Sequence, residues 1–496
     1  MGYIDFYTAK KLKCQNGTIA RAYGLPKVHK PGNLYRPIVS CVGTPLYNLS
    51  RYLCDILRSV VGVSDQTIRN SIDFRSKIKD YNIPNDHKLV SFDVVSLFTN
   101  IDNRLVLEIV NRKWNIIKAQ SKTKLQKVDF LEALEMIMEN CEFSFNGQKY
   151  RQKYGSPMGS PVSPMLANLV LEDMEEKILG SEDFEPLFYY RYVDDIICAL
   201  PENRIELFNE RLNAYHRRLK FTVEVETDSR IAFLDTLLIK EDNGNIAVNW
   251  YHKPTWSGRY LNFNSCLPMT YKVNTVSLLA RKILDLSDTK FHNENFKLLI
   301  ETMCENGYPR RLVKDIIYKA RNRNVSSNKT QKDNIKYASV PYVKDLFEKM
   351  RPMFRKYDLE LVGKSIRPLE SQVFSKNKDK ILKEQRSNIV YSVECECNKV
   401  YIGQTSQYFK SRFQQHQRDG ANRTETTNKS ALSQHLSRTD HTIDFERTAV
   451  LAQEQNKIKR DILEMIKIKN TKNTLNLKTD TNLLPQAYDH LLYSIR

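Results

Sequence analysis

What the sequence lacks already narrows the class of protein. No apolar run approaches the roughly 18 residues that a transmembrane helix needs. The first residues, Met1–Asp5, show neither the basic start nor the apolar stretch of a signal peptide. Most of the nine cysteines stand alone, which is typical of free thiols in a reducing compartment rather than of a disulfide framework. We therefore expect a chain without a membrane partner.

Negative charge is scarce relative to positive charge. The 496 residues contain 77 lysines and arginines but only 58 aspartates and glutamates, which gives a net charge of +19. Such an excess favours a polyanionic partner, with nucleic acid first and an acidic membrane surface second. The length predicts about two to four domains and an ample core.

The acids that are present include an adjacent pair. Asp194 and Asp195 stand between two apolar, strand-like segments. Adjacent carboxylates repel each other, and a bound divalent metal is the usual reason for keeping them together. Upstream, Asp93 closes another strand candidate, Lys88–Asp93. Three acids on neighbouring strand ends can hold two Mg²⁺ ions for phosphoryl transfer, whereas an exposed Asp-Asp turn is the alternative.

Between these acids lies a segment rich in glycine and proline, Gly155–Pro164. Its small side chains would let the backbone approach a templating base and an incoming nucleotide closely, although an ordinary tight loop before a helix has the same composition. Ser163 and Pro164 predict the start of that helix. In this order, Asp93, the Gly/Pro segment and the acid pair resemble the palm motifs of a reverse transcriptase.

The resemblance implies roles for individual residues. Asp93 and Asp194 would be the ligands of two Mg²⁺ ions, and Asp195 would support the metal site. The contacts with nucleotide and template would come from Lys27, Arg36, Phe98, Gly155, Ser156, Pro157 and Gly159. Arg36 would pair with triphosphate oxygens, whereas a solvated basic face is the alternative for Lys27 and Lys30. Phe98 would be the steric gate that selects dNTPs, with a buried core aromatic as the alternative.

Several short strings resemble one lineage, the Penelope-like retroelements, which are close to telomerase reverse transcriptase. These strings are Leu25–Lys30, Phe221–Glu224, Phe233–Asp235, Lys253–Thr255 and Arg259–Leu261. Within this resemblance, Phe233–Asp235 corresponds to a primer-grip hairpin. The basic helices predicted between residues 270 and 336 would form a thumb that holds the heteroduplex through its phosphates.

A second set of residues with chemical potential lies near the C-terminus: Tyr391, Tyr401, Gly403, Arg412, His416 and Glu464. Arg412 and His416 are four residues apart and so share one face of a predicted helix. The set resembles a GIY-YIG endonuclease domain, which many Penelope-like elements carry after the polymerase, although Ile389 replaces the first glycine of the motif. A small β-rich domain with surface tyrosines is the alternative.

The endonuclease resemblance implies a catalytic role for Tyr391, Tyr401, Arg412, His416 and Glu464. A tyrosine would orient or deprotonate the attacking water, and Arg412 would stabilise the charge of the phosphorane. Glu464 would hold one Mg²⁺ ion, with water and phosphate completing the coordination.

Two cysteines are close together, Cys395 and Cys397, and two histidines follow, His435 and His441. Two thiolates and two imidazoles suit a tetrahedral, structural Zn²⁺ ion. The single residue between the cysteines is a tighter spacing than usual, and His441 could instead be a core histidine. The resemblance to the endonuclease family favours zinc.

The predicted fold is α+β and multidomain: a right-hand polymerase with fingers, palm and a helical thumb, followed by a small α/β GIY-YIG nuclease domain. We place the fingers and palm at residues 1–260 and the thumb at 261–336. A linker region at 337–386 contains a short folded piece around Val340–Leu361, and the nuclease domain occupies 387–496.

The expected function is RNA-directed DNA polymerisation by a retroelement, with a linked DNA-nicking endonuclease acting in target-primed reverse transcription. The expected partners are an RNA template, a DNA target and primer, and dNTPs, and the expected location is the nucleus. Two alternatives stay open. Family members carry a longer N-terminal region than this chain, so an N-terminally truncated, inactive nucleic-acid-binding relic is the first. A structure-specific repair nuclease is the second.

Overall fold

The computed structural model of the chain describes residues 4–27, 34–180, 186–322, 335–365, 373, 377–422, 430–488 and 490. Lys30, which the sequence places near the template, lies outside these residues. The same holds for parts of the regions assigned to the thumb, the linker and the nuclease domain.

The described residues form mixed helices and strands. In chain order the strands are β1 (Ala20–Pro26), β2 (Tyr35–Ser40), β3 (His87–Val94), β4 (Glu142–Phe145), β5 (Gln148–Arg151), β6 (Phe188–Tyr192), β7 (Asp195–Pro201), β8 (Phe221–Val225), β9 (Arg230–Phe233), β10 (Thr236–Lys240), β11 (Ile246–Trp250), β12 (Lys336–Pro341), β13 (Leu359–Lys364), β14 (Ile389–Cys395), β15 (Val400–Thr405) and β16 (Ile443–Gln453).

The α-helices are α1 (Phe6–Leu12), α2 (Tyr47–Leu57), α3 (Ser71–Ile78), α4 (Leu97–Asn100), α5 (Asn103–Ser121), α6 (Lys127–Glu139), α7 (Ser163–Leu179), α8 (Ile205–Ala214), α9 (Met269–Leu286), α10 (His292–Glu305), α11 (Arg310–Arg321), α12 (Leu346–Arg355), α13 (Phe409–Ala421), α14 (Ala431–Arg438) and α15 (Lys457–Asn470). Short 3-10 helices lie at Glu202–Arg204, Thr289–Phe291, Lys383–Gln385, Lys478–Thr481 and Gln486–Tyr488.

A four-stranded antiparallel sheet with the order β6-β7-β3-β8 organises the first part of the chain. Its central strand β7 contains an apolar run that is buried on both faces. Ile196 and Cys198 enter a large core with α5, α6 and α7, whereas Ile197 and Ala199 enter a second core with α3 and β9–β11. Because side chains alternate along a strand, one strand joins the two cores.

A second four-stranded sheet has the order β2-β1-β4-β5 and contains the two segments, around Lys27 and Arg36, that were predicted as fingers motifs. The Gly/Pro segment lies between β2 and α4. The backbone N–H of Ser156 donates to the carbonyl of Phe98, and that of Val39 on β2 donates to the carbonyl of Met158. Main-chain hydrogen bonds therefore tie the segment to β2 of this sheet and to α4, the short helix that follows β3.

The helical region that the sequence predicts at 270–320 is observed as α9, α10 and α11, which share one apolar core. The next described elements, β12, α12 and β13, form a separate folded unit. β12 and β13 pair in parallel and α12 connects them, so residues 336–364 form a βαβ unit with its own small core. This unit lies where the sequence predicted a short folded piece, around Val340–Leu361.

The C-terminal residues form a three-stranded antiparallel sheet, β15-β14-β16, covered by α13, α14 and α15. All nine cysteines are free thiols. In the described part of the chain, no helix is long and apolar enough to cross a membrane.

The packing of Gly155 leads to a stability prediction. Its φ is +75°, and a Cβ added there would lie 2.5 Å from the carbonyl oxygen of Phe98. Gly147 has the same φ of +75°, but a Cβ there would meet nothing within 4 Å. Gly147→Ala should therefore cost only the left-handed backbone strain, about 1–2 kcal/mol. Gly155→Ala should cost about 1–3 kcal/mol more, because the added methyl overpacks the site.

Chemical denaturation followed by tryptophan fluorescence measures the two variants side by side. Equal midpoints for Gly155→Ala and Gly147→Ala would contradict the close packing of the Gly/Pro segment on the chain segment that begins at Phe98.

Candidate active sites

The three predicted palm acids meet at one end of the central sheet. The β6–β7 hairpin pairs Tyr192 with Asp195, so Val193 and Asp194 form a two-residue turn. The register of β3 against β7 places Asp93 directly opposite Asp195. Residues directly opposite in antiparallel strands have Cβ atoms about 4.5–5.5 Å apart, which brings both carboxylates to the same sheet edge beside Asp194.

The electrostatics of these acids reflect their crowding. Burial, together with the charge of Asp93, raises the pKa of Asp194. Burial and the charges of Asp194 and Asp93 raise the pKa of Asp195 to about 6. Partly buried carboxylates that repel each other need a counter-charge. Hard oxygen ligands in this arrangement fit Mg²⁺.

Two cations reach this acidic centre from other elements. The charge of Arg36, exposed on β2, acts against the rise in the pKa of Asp194. The charge of Lys253, which follows β11, does the same for the pKa of Asp195. The structure thus brings Arg36 near the acids, as the resemblance implied. Lys253 was missed as a site residue: its string, Lys253–Thr255, entered the sequence analysis only as a family likeness.

The backbone of the Gly/Pro segment lies very close to another part of the same chain. Its composition predicts such a close approach to a templating base and a nucleotide. A Cβ at Gly159, where φ is +143°, would lie 2.3 Å from the carbonyl oxygen of Val39. Ser156 and Pro157 are held by Ser163, whose hydroxyl contacts the Ser156 hydroxyl and donates to the Pro157 carbonyl. The segment is therefore packed closely between β2 and α7, and these contacts fix the position of its backbone.

Two further residues of the predicted nucleotide site are Phe98 and Lys27. Phe98 is half-buried at the edge of the large core, so it is neither a fully enclosed core aromatic nor a free one. The backbone N–H of Lys27 donates to the carbonyl of Leu34 at 2.8 Å, which extends the β1–β2 hairpin. Among the described residues, neither Lys27 nor Arg36 forms an ion pair.

The second predicted site is assembled around Tyr391, which is fully buried on β14. Its hydroxyl lies 2.8 Å from Nε2 of His416 and accepts a hydrogen bond from Nε of Arg412 at 3.2 Å. Nδ1 of His416 in turn lies 3.2 Å from the hydroxyl of Ser430. Burial and the charge of Arg412 lower the pKa of His416 to about 3, so the ring is neutral.

Tyr401 and Glu464 complete this site. The ring of Tyr401 lies 5.4 Å from that of His416, and burial raises the Tyr401 pKa to about 12. Burial and the charges of Asp461 and Asp480 raise the pKa of Glu464 to about 7, while the backbone N–H of Gln404 donates to its carboxylate. Both tyrosines are buried, so the alternative of surface tyrosines is wrong.

Gly403 packs against the side chains of both tyrosines, and the space there is too small for a larger residue. A Cβ there would lie 2.7 Å from the Tyr391 hydroxyl.

The four predicted zinc ligands come together at the end of β14. The ligand atoms of Cys395, Cys397, His435 and His441 all lie within 4.8 Å of one another. Both thiols lie 3.5 Å from Nε2 of His435, and Nδ1 of His441 lies 3.0 Å from the same atom. Four soft or borderline ligands converging in this way fit a tetrahedral Zn²⁺ site.

The family comparisons match two parts of the chain. Residues 28–226 match the model of the reverse transcriptase (RNA-dependent DNA polymerase) family. Residues 259–318, which include α9 and α10, match the animal helix-turn-helix domain, a likeness that the sequence motifs did not reveal. No curated protein matches the chain.

Several solved polymerases are similar to the chain at low identity. Telomerase from Candida albicans in complex with a TWJ fragment of telomeric RNA is 12% identical, with a TM-score of 0.43 over 61% of this chain and 59% of that chain. The corresponding Candida tropicalis complex is 14% identical, with a TM-score of 0.40 over 63% and 55%. The Sicinivirus 3Dpol RNA-dependent RNA polymerase is 13% identical, with a TM-score of 0.39 over 64% and 71%.

The chain spans less than two thirds of the length of these telomerase chains. The assignment therefore comes from the family match, which includes Asp93, the Gly/Pro segment and the Asp194-Asp195 hairpin. Residues 28–226 are therefore similar to a reverse transcriptase domain.

Proposed function

We propose that the chain is the RNA-directed DNA polymerase of a retroelement. The observation that carries this proposal is the strand register that sets Asp93 opposite Asp195, beside Asp194, inside the reverse transcriptase domain. Asp93 and Asp194 would hold two Mg²⁺ ions, with Asp195 in support. Bound there, Mg²⁺ would neutralise the triphosphate and lower the pKa of the primer 3′-hydroxyl.

Other residues of the chain would handle the substrates. Arg36 would pair with the triphosphate, where its planar guanidinium suits phosphate oxygens. Phe98 would select dNTPs by its bulk. The basic helices after residue 268 would act as a thumb that grips the RNA–DNA heteroduplex through its phosphates.

We propose a GIY-YIG endonuclease, of the kind found in Penelope-like elements, for residues 387–496. The supporting observation is the buried hydrogen-bonded chain of Arg412, Tyr391, His416 and Ser430. Because burial raises the Tyr391 pKa, the side chain stays a phenol that accepts from Arg412 and can donate to neutral His416. Tyr391 would then orient the attacking water, and Arg412 would stabilise the phosphorane. Glu464 would hold one Mg²⁺ ion.

The two sites would act in sequence as target-primed reverse transcription. The nuclease would cut one strand of the DNA target, and the polymerase would extend the exposed 3′-hydroxyl on an RNA template. Contacts between the first and last domains support this coupling: the hydroxyl of Tyr408 donates to the carbonyl of Gly17, and the side-chain amide of Asn16 donates to the carbonyl of Ser406. Tethering raises the effective concentration of the cut end at the palm. This function places the protein in the nucleus.

Primer extension tests the polymerase. With an RNA template, a DNA primer, dNTPs and Mg²⁺, the wild type should extend the primer, and Asp194→Asn should lose at least about a hundredfold of the rate, because one charged metal ligand is gone. Asp242→Asn, an exposed acid in the β10–β11 turn, is the matched control and should extend normally. A wild type that cannot extend would favour the inactive relic.

Plasmid nicking tests the nuclease separately. Arg412→Ala and Glu464→Ala should each reduce nicking by about a hundredfold or more, because transition-state charge and metal are no longer held. Arg418→Ala, on the same helix α13 but exposed, serves as the control. Unchanged nicking by both site variants would remove the endonuclease proposal, and nicking without primer extension would favour the repair nuclease.

Metal analysis tests the zinc site. The purified chain should contain about one zinc per molecule, and Cys397→Ser or His435→Ala should lose it, because three ligands seldom retain a structural zinc. Cys266→Ser, which changes an exposed thiol elsewhere, should keep the metal. A wild type that binds no zinc after reconstitution would show that the four side chains pack without metal.

A further inference from the structure

Arg191 has no part in the chemistry above, yet its side chain is fully buried directly before the catalytic hairpin turn. It is 0% exposed and lies on β6, next to Tyr192. Buried arginines are rare unless they are paired. Its position and burial raise the question of what its guanidinium does there.

The guanidinium makes four hydrogen bonds. Its Nε and one terminal nitrogen donate to the two carboxylate oxygens of Glu175, at 2.5 and 3.1 Å. The other terminal nitrogen donates to the side-chain oxygen of Asn168 and to the backbone carbonyl of Val193, both at 3.0 Å. Glu175 and Asn168 both lie on α7. A planar fork can serve all of these acceptors at once, whereas a lysine ammonium cannot.

Val193 is the residue in this turn that needs support. Its φ is +57°, a left-handed conformation that a β-branched residue rarely adopts. Two-residue hairpin turns of this kind usually place glycine or asparagine at such a position. Strained residues persist only where their surroundings hold them. The Arg191 hydrogen bond to the Val193 carbonyl is such a restraint, and Asp194 and Asp195 follow immediately.

We propose that Arg191 is a positioning residue of the polymerase, which fixes the strained Val193 turn to α7 and thereby sets the place of Asp194 and Asp195. This inference rests on the proposed function, since the turn matters only if these acids hold metal. The same helix begins at Ser163, whose hydroxyl holds the Gly/Pro segment. Through Arg191, α7 becomes a common support for the Gly/Pro segment and the metal-binding turn.

Arg191→Lys is the first test, because it keeps the buried charge beside Glu175 but loses the fork. Primer extension should fall by about tenfold to a hundredfold, since small displacements of reacting groups cost that much, and a higher Mg²⁺ concentration should be needed for half-maximal rate. Arg460→Lys is the control for general destabilisation. Arg460 is also buried and bonded to side-chain and backbone oxygens, but it lies in the C-terminal domain. Its substitution should leave extension unchanged.

Val193→Gly separates positioning from simple stability. Glycine adopts the left-handed conformation without strain, so the turn should depend less on the arginine. Arg191→Lys should therefore reduce extension by a clearly smaller factor in the Val193→Gly background, while lowering the melting temperature equally in both backgrounds. An equal loss of extension in both backgrounds, or wild-type extension by Arg191→Lys, would overturn the proposal.

A metal-binding measurement keeps this test independent of polymerase activity. Mg²⁺ should raise the melting temperature of the wild type more than that of Asp194→Asn, which keeps the C-terminal site, and the rise should be smaller for Arg191→Lys and normal for Arg460→Lys. If the wild type binds Mg²⁺ without extending primers, the proposed function fails while the role of Arg191 is still decided. An Arg191→Lys shift equal to that of the wild type would overturn that role.

Discussion

Three carboxylates confined to one end of an antiparallel sheet create the constraint on which the first half of the structure depends. Asp93 and Asp195 face each other across β3 and β7, and Asp194 sits in the adjoining turn. Their mutual repulsion and burial raise the pKa values of Asp194 and Asp195. The fold must therefore hold these three side chains in place through the packing of the strands that carry them. The two cores on either side of β7 provide that rigidity, because neither face of the strand can move without disturbing close packing.

The two candidate centres use different physical devices. In the palm, the acids are partly accessible and crowded, an arrangement that a cation would stabilise. In the C-terminal domain, the central groups are a buried tyrosine and a neutral buried histidine, joined by hydrogen bonds and bordered by Arg412. There the low-dielectric surroundings favour neutral groups with fixed directions. The first centre therefore brings charged groups together, whereas the second fixes the directions of hydrogen bonds at Tyr391 and His416.

Local sequence was most informative where chemistry and periodicity coincide. The alternating and apolar runs around Asp93 and Asp195 predicted strands, and the helical region at 270–320 was recognised from apolar spacing. A short folded piece around Val340–Leu361 was also predicted, but the parallel pairing of β12 with β13 was not, because these strands are short and separated by α12. Lys253 was also missed, since a lysine after a strand carries no local sign that it will face an acid far away in sequence.

The sequence by itself determined which reactive side chains are present: the acids, the Gly/Pro segment, the tyrosines and the Cys/His set can all be identified from residue type and order. Only the tertiary structure decided which of them meet. The register of β3 against β7, the convergence of Cys395, Cys397, His435 and His441, and the contact of Arg191 with Val193 join residues from separate elements. Such contacts depend on packing between elements, and no local propensity encodes a distance between residues that lie far apart in the chain.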